Sequence, residues 1–178
     1  MRIIAGSRKG ARIFAPAGLE TRPTGDRARE AVFNLIGPVD DARVLDLFAG
    51  SGAMGLEALS RGAASATFVE RDPAAAATIE RNLDKLRLRG AVLRHDVARV
   101  LAADAAAGTR YDLVLIDPPY RVLAGVLPTL SAYLPSVLER GGLVVVESDA
   151  REEPELPLAK RTSRRYGRAR ITVFEAPE

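Results

Sequence analysis

Apolar residues in this chain fall into two kinds of run. Arg43-Val-Leu-Asp-Leu-Phe48, Ala66-Thr-Phe-Val69, Ala91-Val-Leu93, Tyr111-Asp-Leu-Val-Leu-Ile116 and Leu143-Val-Val-Val146 are short and nearly continuous. Such runs read as strands buried on both faces, the habit of a parallel sheet. Between them, apolar positions recur every three or four residues. Val32, Phe33, Leu35 and Ile36 form one such face; Ile79, Leu83 and Leu86 form another. These predict amphipathic helices, the first capped by Thr24 or Asp26 and stopped by Gly37-Pro38, the second opening at Pro73. Further helices are expected over Leu56–Ser60, Val97–Ala106 and from Val122 to about Leu138, with a loop at Gly141-Gly142. Alternating strands and helices specify an α/β fold. Two closing strands follow, over residues 158–165 and 169–175, turning at Tyr166-Gly167. At the other end, residues 2–14 carry two apolar stretches around Gly6-Ser-Arg-Lys-Gly10, which predicts a β-hairpin with a basic tip. The division expected is a hairpin extension over residues 1–20 and one domain over residues 21–178.

The strand ends carry the chemistry. The first strand runs into Ala49-Gly50-Ser51-Gly52-Ala53-Met54-Gly55 and then a helix. Strand, glycine turn and helix open a doubly wound sheet, with backbone N–H groups available to a ligand. Gly50-x-Gly52-x-x-Gly55 also matches the dinucleotide fingerprint and is weak evidence alone. Glu70 ends the second strand, where an acid can take both hydroxyls of an adenosine ribose. Asp96, after the third strand, either accepts an adenine amino group or caps the next helix; the residues leave both readings open. The fourth strand delivers Asp117-Pro118-Pro119-Tyr120. The prolines end the strand and stiffen its exit, holding an acceptor beside a flat ring. That pairing suits a planar group bearing an amine, such as a nucleobase. Strands one and four are neighbours in this topology, so both motifs meet at the switch point where ligands bind.

Composition removes several other chemistries. There is no cysteine, hence no disulfide, thiolate metal site or cysteine nucleophile, and His95 is the single histidine. A histidine-based triad and a multi-histidine metal site are therefore not expected. No apolar run approaches the roughly 18 residues that span a membrane, and the first residues lack a signal-peptide pattern. A cytoplasmic protein is expected. Net charge is only +3, but basic residues gather at both ends: Arg2, Arg8, Lys9 and Arg12, then Arg22, Arg27 and Arg29, and finally Lys160 to Arg170 around Tyr166. Codon bias toward arginine would give the same excess on a plain surface. Two basic ends around a near-neutral middle favour a polyanionic partner. The arginines beside the first long helix sit where they do not benefit its dipole, which points to a ligand role for some of them.

Taken together, DLFAGSGAMGLEALSRGA, Glu70 and DPPY resemble the S-adenosylmethionine-dependent amino-methyltransferases. With RPTGDRAREAVFNLI before them and YGRARITVFE after, nearly the whole chain resembles the RsmD family, bacterial 16S ribosomal RNA guanine-N2 methyltransferases. DPPY alone is shared by enzymes acting on adenine N6, cytosine N4 and guanine N2. The resemblance implies a Rossmann-like sheet of order 3-2-1-4-5-7-6 with strand 7 antiparallel. It implies that Asp46, Gly50, Gly52, Glu70 and Asp96 surround the methyl donor, S-adenosyl-L-methionine, that Thr24 helps to cover it, and that no metal is needed. Asp117, Pro118 and Tyr120 would hold the target base. Arg8, Lys9, Arg12, Arg22 and Arg27, with Arg165, Tyr166 and Arg168, would hold the RNA. The implied partner is 16S ribosomal RNA, free or in an assembled small-subunit particle, with the protein a monomer.

Three other readings compete. An NAD-dependent oxidoreductase would explain the glycine turn and Glu70 but leaves DPPY without a role. A DNA adenine or cytosine methyltransferase needs a target-recognition region for which there is little room. An RNA-binding protein retaining only the cofactor fold would not need both Glu70 and Asp117.

Overall fold

The computed structural model describes residues 1–16 and 23–178, with side chains from Gly25 onward in the second span. The strands are β1 (Arg43–Leu47), β2 (Ser65–Val69), β3 (Ala91–Leu93), β4 (Tyr111–Ile116), β5 (Leu138–Asp149), β6 (Ala159–Tyr166) and β7 (Ala169–Glu175). They form a seven-stranded sheet in the order β3-β2-β1-β4-β5-β7-β6, the order expected from the sequence. β1 to β5 run parallel, and β7 is antiparallel to both β5 and β6. The helices are α1 (Pro23–Ile36), α2 (Ala53–Ser60), α3 (Pro73–Leu86), α4 (Val97–Ala107) and α5 (Tyr120–Val137).

Side chains alternate across the strands and build two cores. Val44, Leu113, Leu115, Ile171 and Val173 pack with residues of α1, α2 and α3, while Leu45, Leu47, Val114, Ile116 and Val146 pack with α4 and α5. That is why the central strands read as continuous apolar runs. Each fully buried aliphatic side chain contributes about 1.5–3 kcal/mol.

Several boundaries differ from expectation; α2, for one, begins at Ala53, three residues before Leu56. α1 begins at Pro23, so Asp26 lies within it and pairs with Arg29 at 2.9 Å instead of capping it. α5 begins at Tyr120, because Pro119 already supplies the carbonyl for the Val122 N–H at 2.8 Å. Gly141 and Gly142 are drawn into β5, where the register against β4 jumps between Tyr111↔Leu138 and Leu113↔Leu143; Gly141, at φ +67°, provides the left-handed turn of that bulge. The N-terminal hairpin is reduced to one antiparallel bridge, Arg2↔Arg12, around a 3-10 turn at Gly6–Arg8. It is no separate appendage, since Ile3 and Ile13 belong to the same core as α1, α2 and α3.

The N-terminal segment also packs on two helices. Its turn lies across the C-terminal ends of α2 and α3. Gly6 approaches Ser60 so closely that a Cβ there would sit 1.8 Å from the Ser60 carbonyl oxygen. Both helices run back from the carboxyl ends of the strands, so the turn is at the amino edge of the sheet. Among the described residues, no helix is long and apolar enough to cross a membrane.

Candidate active site

The strand register sets the site. Leu47, the last residue of β1, pairs with Val69 on one side and Ile116 on the other. The next residue of each strand is therefore level with the others: Glu70, Phe48 and Asp117. Asp117 is exposed, Pro118 buried, and Tyr120 half-buried at the start of α5. The acid sits at the mouth of the crevice, not in the interior.

The glycine turn beside it is held from several directions. Glu70 accepts the Gly50 N–H through Oε2 and the Asp72 N–H through Oε1, both at 2.9 Å. Each oxygen keeps further lone-pair capacity for a ligand. Asp46, 2 % exposed, accepts the Gly55 N–H at 2.9 Å and so anchors the first turn of α2. Gly55 is required here, because a Cβ would lie 2.4 Å from the Phe68 ring. Gly50, at φ +57°, has open space where a Cβ would stand, as the lining of a cleft should. Phe48 adopts φ +58°, an unfavourable conformation for an aromatic residue that costs about 1–3 kcal/mol; it turns the chain sharply from β1 into the glycine turn.

Electrostatics converge on the same spot. Burial pushes the Asp46 carboxyl well above the usual carboxylate range; the Gly55 N–H opposes this, and the charges of Asp117 and Glu70 reinforce it. Glu70 and Asp117 at the cleft disfavour an anion and fit a cationic ligand. Asp96 is exposed and caps α4, accepting the Ala98 N–H at 2.8 Å. The capping reading of this residue is thus realised, and its second carboxylate oxygen leaves a ligand role open.

The predicted basic residues divide. Arg165 and Arg168 are exposed and Tyr166 is half-buried around the β6–β7 turn. Ala169 pairs with Asp149, at the carboxyl end of β5, so this turn shares an edge with Asp117. Lys9, Arg12 and Arg27 are exposed as well. Arg8 is half-buried, and its Nε donates to the Leu86 carbonyl at 2.5 Å, at the C-terminal end of α3 on the amino edge. Arg29 departs from the ligand role suggested for it. It is 3 % exposed, donates to the Arg2 carbonyl and Asp26, and has its Nε 3.5 Å from Glu57. Arg22 and the side chain of Thr24 lie outside the described residues.

Two residues with supporting roles were missed. Glu57 is fully buried and accepts the N–H groups of Ile4 at 2.9 Å and Ala5 at 3.0 Å, besides Arg61 at 2.8 Å. Asn82 accepts the Phe14 N–H at 2.7 Å and donates to the carbonyls of Phe14 and Ser51 at 3.0 Å. It links the N-terminal segment to the glycine turn. Polar residues at apolar-face spacing in α2 and α3 were the available signal. A surface hollow of about 360 Å³, lined by Ile36, Pro38, Val39, Asp112 and Leu143, lies at the opposite edge of the sheet and contains none of the site residues.

A parallel sheet closed by a reversed hairpin, in the order β3-β2-β1-β4-β5-β7-β6, is the fold of the class I methyltransferases, the class whose methyl donor is S-adenosylmethionine. A family model described as conserved hypothetical protein 95 matches residues 1–175. The chain belongs to that family, which is the RsmD family of ribosomal RNA methyltransferases. It is 41% identical over 98% of its length to YlbH of Bacillus subtilis (strain 168), named as a candidate rRNA methyltransferase, and the match spans 98% of that protein. It is 44% identical to ribosomal RNA small subunit methyltransferase D of Escherichia coli (strain K12), over 68% of this chain and 61% of that protein. In structure it is similar to yhhF of Escherichia coli, described as a candidate methyltransferase, with a TM-score of 0.84 and 35% identity over 99% of this chain and 98% of that one.

Proposed function

We propose that this protein transfers the methyl group of S-adenosylmethionine to the exocyclic N2 amine of a guanine in small-subunit ribosomal RNA. The observation that carries this reading is the exposed Asp117, level with Glu70 and the glycine turn and followed at once by two prolines and Tyr120. The relatives named for ribosomal RNA methylation supply the substrate class.

The guanine amine is a poor nucleophile because its lone pair is delocalised into the ring. The Asp117 carboxylate and the Pro118 carbonyl accept its two N–H bonds and favour a pyramidal nitrogen. Tyr120 stacks on the base, a contact worth about 1–3 kcal/mol. When bound, the donor supplies an electrophilic sulfonium methyl. Glu70 takes the ribose hydroxyls, Asp96 accepts from the adenine, and Gly50 admits the donor close to the backbone, while Gly52, whose missing Cβ faces Ile79 and Phe68, shapes the turn from beneath. Asp46 fixes the first turn of α2 beside the donor through the Gly55 N–H. Most of the rate then comes from positioning, which supplies about 7–11 kcal/mol in good cases. Asp117 holds the departing proton at an exposed oxygen, from which water removes it. Arg165, Tyr166 and Arg168 meet the RNA beside the target base, with Lys9, Arg12 and Arg27 adding contacts elsewhere.

The test is to incubate the protein with labelled donor and ribosomal RNA from a strain lacking it, then map the modified base. Label on N2 of a small-subunit guanine is expected. Label on adenine N6 or cytosine N4, or none in RNA, sinks the reading.

A further inference from the structure

Phe14 is the large hydrophobic side chain left exposed among the described residues, at 38%. Its position is fixed, since Asn82 holds both its N–H and its carbonyl. Two cations of α3 lie over its ring: Arg81 Cζ is 4.2 Å and Lys85 Nζ 4.6 Å from the centroid. Arg81 and Lys85 are four residues apart on one helix, where like charges repel. Cation–π attraction to the ring offsets that repulsion. Glu80 and Asp84 belong to the same helix but form no ion pair with either cation among the described residues. Lys9 and Arg12 are exposed on the neighbouring N-terminal segment.

This is an aromatic ring that holds two exposed cations, neither in an ion pair among the described residues. It fits a partner with a regular array of negative charge. We propose that the outer face of α3 around Phe14, Arg81 and Lys85 is a second docking surface for the RNA backbone, separate from the carboxyl edge that holds the target base. The inference rests on the reading of the protein as an RNA methyltransferase.

The geometry gives this surface a consequence for substrate size. α3 runs back from the carboxyl edge, and its 14 residues cover about 21 Å at 1.5 Å per residue. Arg81 and Lys85 lie in its second half. An RNA limited to the target loop engages the catalytic edge alone. A longer RNA, folded around the α2–α3 side, engages both surfaces.

The experiment compares the full chain with the Arg81→Gln/Lys85→Gln double variant. Labelled methyl transfer is measured on a short oligonucleotide bearing the mapped guanine, on intact deproteinised small-subunit RNA, and on the protein-containing particle, over a salt series. On the short RNA, kcat and KM stay unchanged. On the intact RNA, KM rises about tenfold and the log–log salt slope flattens by about 1.4–1.8, at about 0.7–0.9 for each phosphate that is no longer neutralised. Unchanged KM and slope on the intact RNA overturn the proposal. So does an effect seen on the particle but not on the bare RNA, which would assign the surface to an acidic protein. Phe14→Leu, which keeps the backbone bonds to Asn82, applies the same test if the double variant unfolds, with a smaller rise in KM expected and an unchanged KM overturning the proposal. Failure of the unaltered protein to methylate any RNA would strike the proposed function itself, whereas a methylating protein with unchanged slopes strikes only this inference.

Discussion

The two edges of the sheet make opposite use of similar residues. At the amino edge, charged side chains satisfy one another and the backbone. Arg8 caps α3, and Arg43 bridges Asp112 at 3.2 Å and Glu139 at 2.9 Å. At the carboxyl edge, Glu70 and Asp96 bond backbone N–H groups yet keep oxygen lone pairs for a ligand, Asp117, Arg165 and Arg168 are exposed, and Asp46 is kept in an unfavourable setting by burial and by its acidic neighbours. An arginine offers five N–H donors, and helix C-termini offer carbonyls that need them. Where the fold presents such carbonyls, a basic residue becomes structural whatever its sequence context. The lesson is that a cluster of arginines in a sequence is evidence for a polyanion only after the helix ends have taken their share.

The sharpest way to break this contrast is at Asp117. Asp117→Ala is expected to lower methyl transfer by about three orders of magnitude, equivalent to about 4 kcal/mol on the barrier, while donor affinity and unfolding midpoint stay close to those of the parent. Turnover near the parental value would remove the carboxyl edge from the chemistry. The mirror experiment is Glu57→Ala, away from the cleft. It removes the buried carboxylate beside the Arg29 Nε, leaving that arginine with Asp26 alone, and frees the Ile4 and Ala5 N–H groups. A loss of about 3 kcal/mol in denaturant unfolding is expected, the scale for breaking a buried ion pair; a loss below about 1 kcal/mol, the worth of an ordinary hydrogen bond, would show the network to be dispensable.

Arginine itself can be compared across the edges. Arg8→Ala should cost about 1 kcal/mol of stability, the worth of a hydrogen bond, and leave the salt slope of RNA binding unchanged. Arg165→Gln/Arg168→Gln should do the reverse, flattening the slope by about 1.4–1.8 with stability held within about 0.5 kcal/mol. Equal slopes in the two variants would erase the distinction.

The smallest effect concerns pH. Folded Asp46 keeps its proton into a range where the unfolded chain has lost it. Its contribution to stability is therefore fully present below the ordinary carboxylate range and is lost as pH rises through the elevated folded value. Asp46→Asn still accepts the Gly55 N–H and does not titrate. Its stability relative to the parent should climb across that window and then level off. Parallel pH–stability curves would show that Asp46 is not perturbed.

The central strands were legible in the sequence because burial on both faces leaves only apolar residues to write them. β3 and β4 fall on the expected residues, and β1 and β2 differ by a residue at an end. The glycine turn, Glu70 and Asp117 were legible for a related reason: a strand end at the switch point is a fixed address in this topology. Glu57, Asn82 and Arg29 were not, because each is polar within a helix. Its burial depends on an N-terminal segment that packs back over α1 to α3, and periodicity along one helix does not report what covers it. Phe48 escaped for another reason: nothing in the composition of a strand end marks a left-handed aromatic residue.

The sequence by itself determined the alternation of strands and helices, the sheet order through its family resemblance, and the placing of the glycine turn, Glu70 and Asp117 at the ends of the first, second and fourth strands. These follow from local patterns, since side-chain period and turn chemistry act over a few residues. Only the tertiary structure decided which charges face the cleft and which are absorbed. It put the Gly6–Arg8 turn at one edge and the β6–β7 turn at the other. That choice depends on contacts between residues far apart in the chain, such as Arg8 with Leu86 and Glu57 with Ile4, whose energies exist only once the layers have packed.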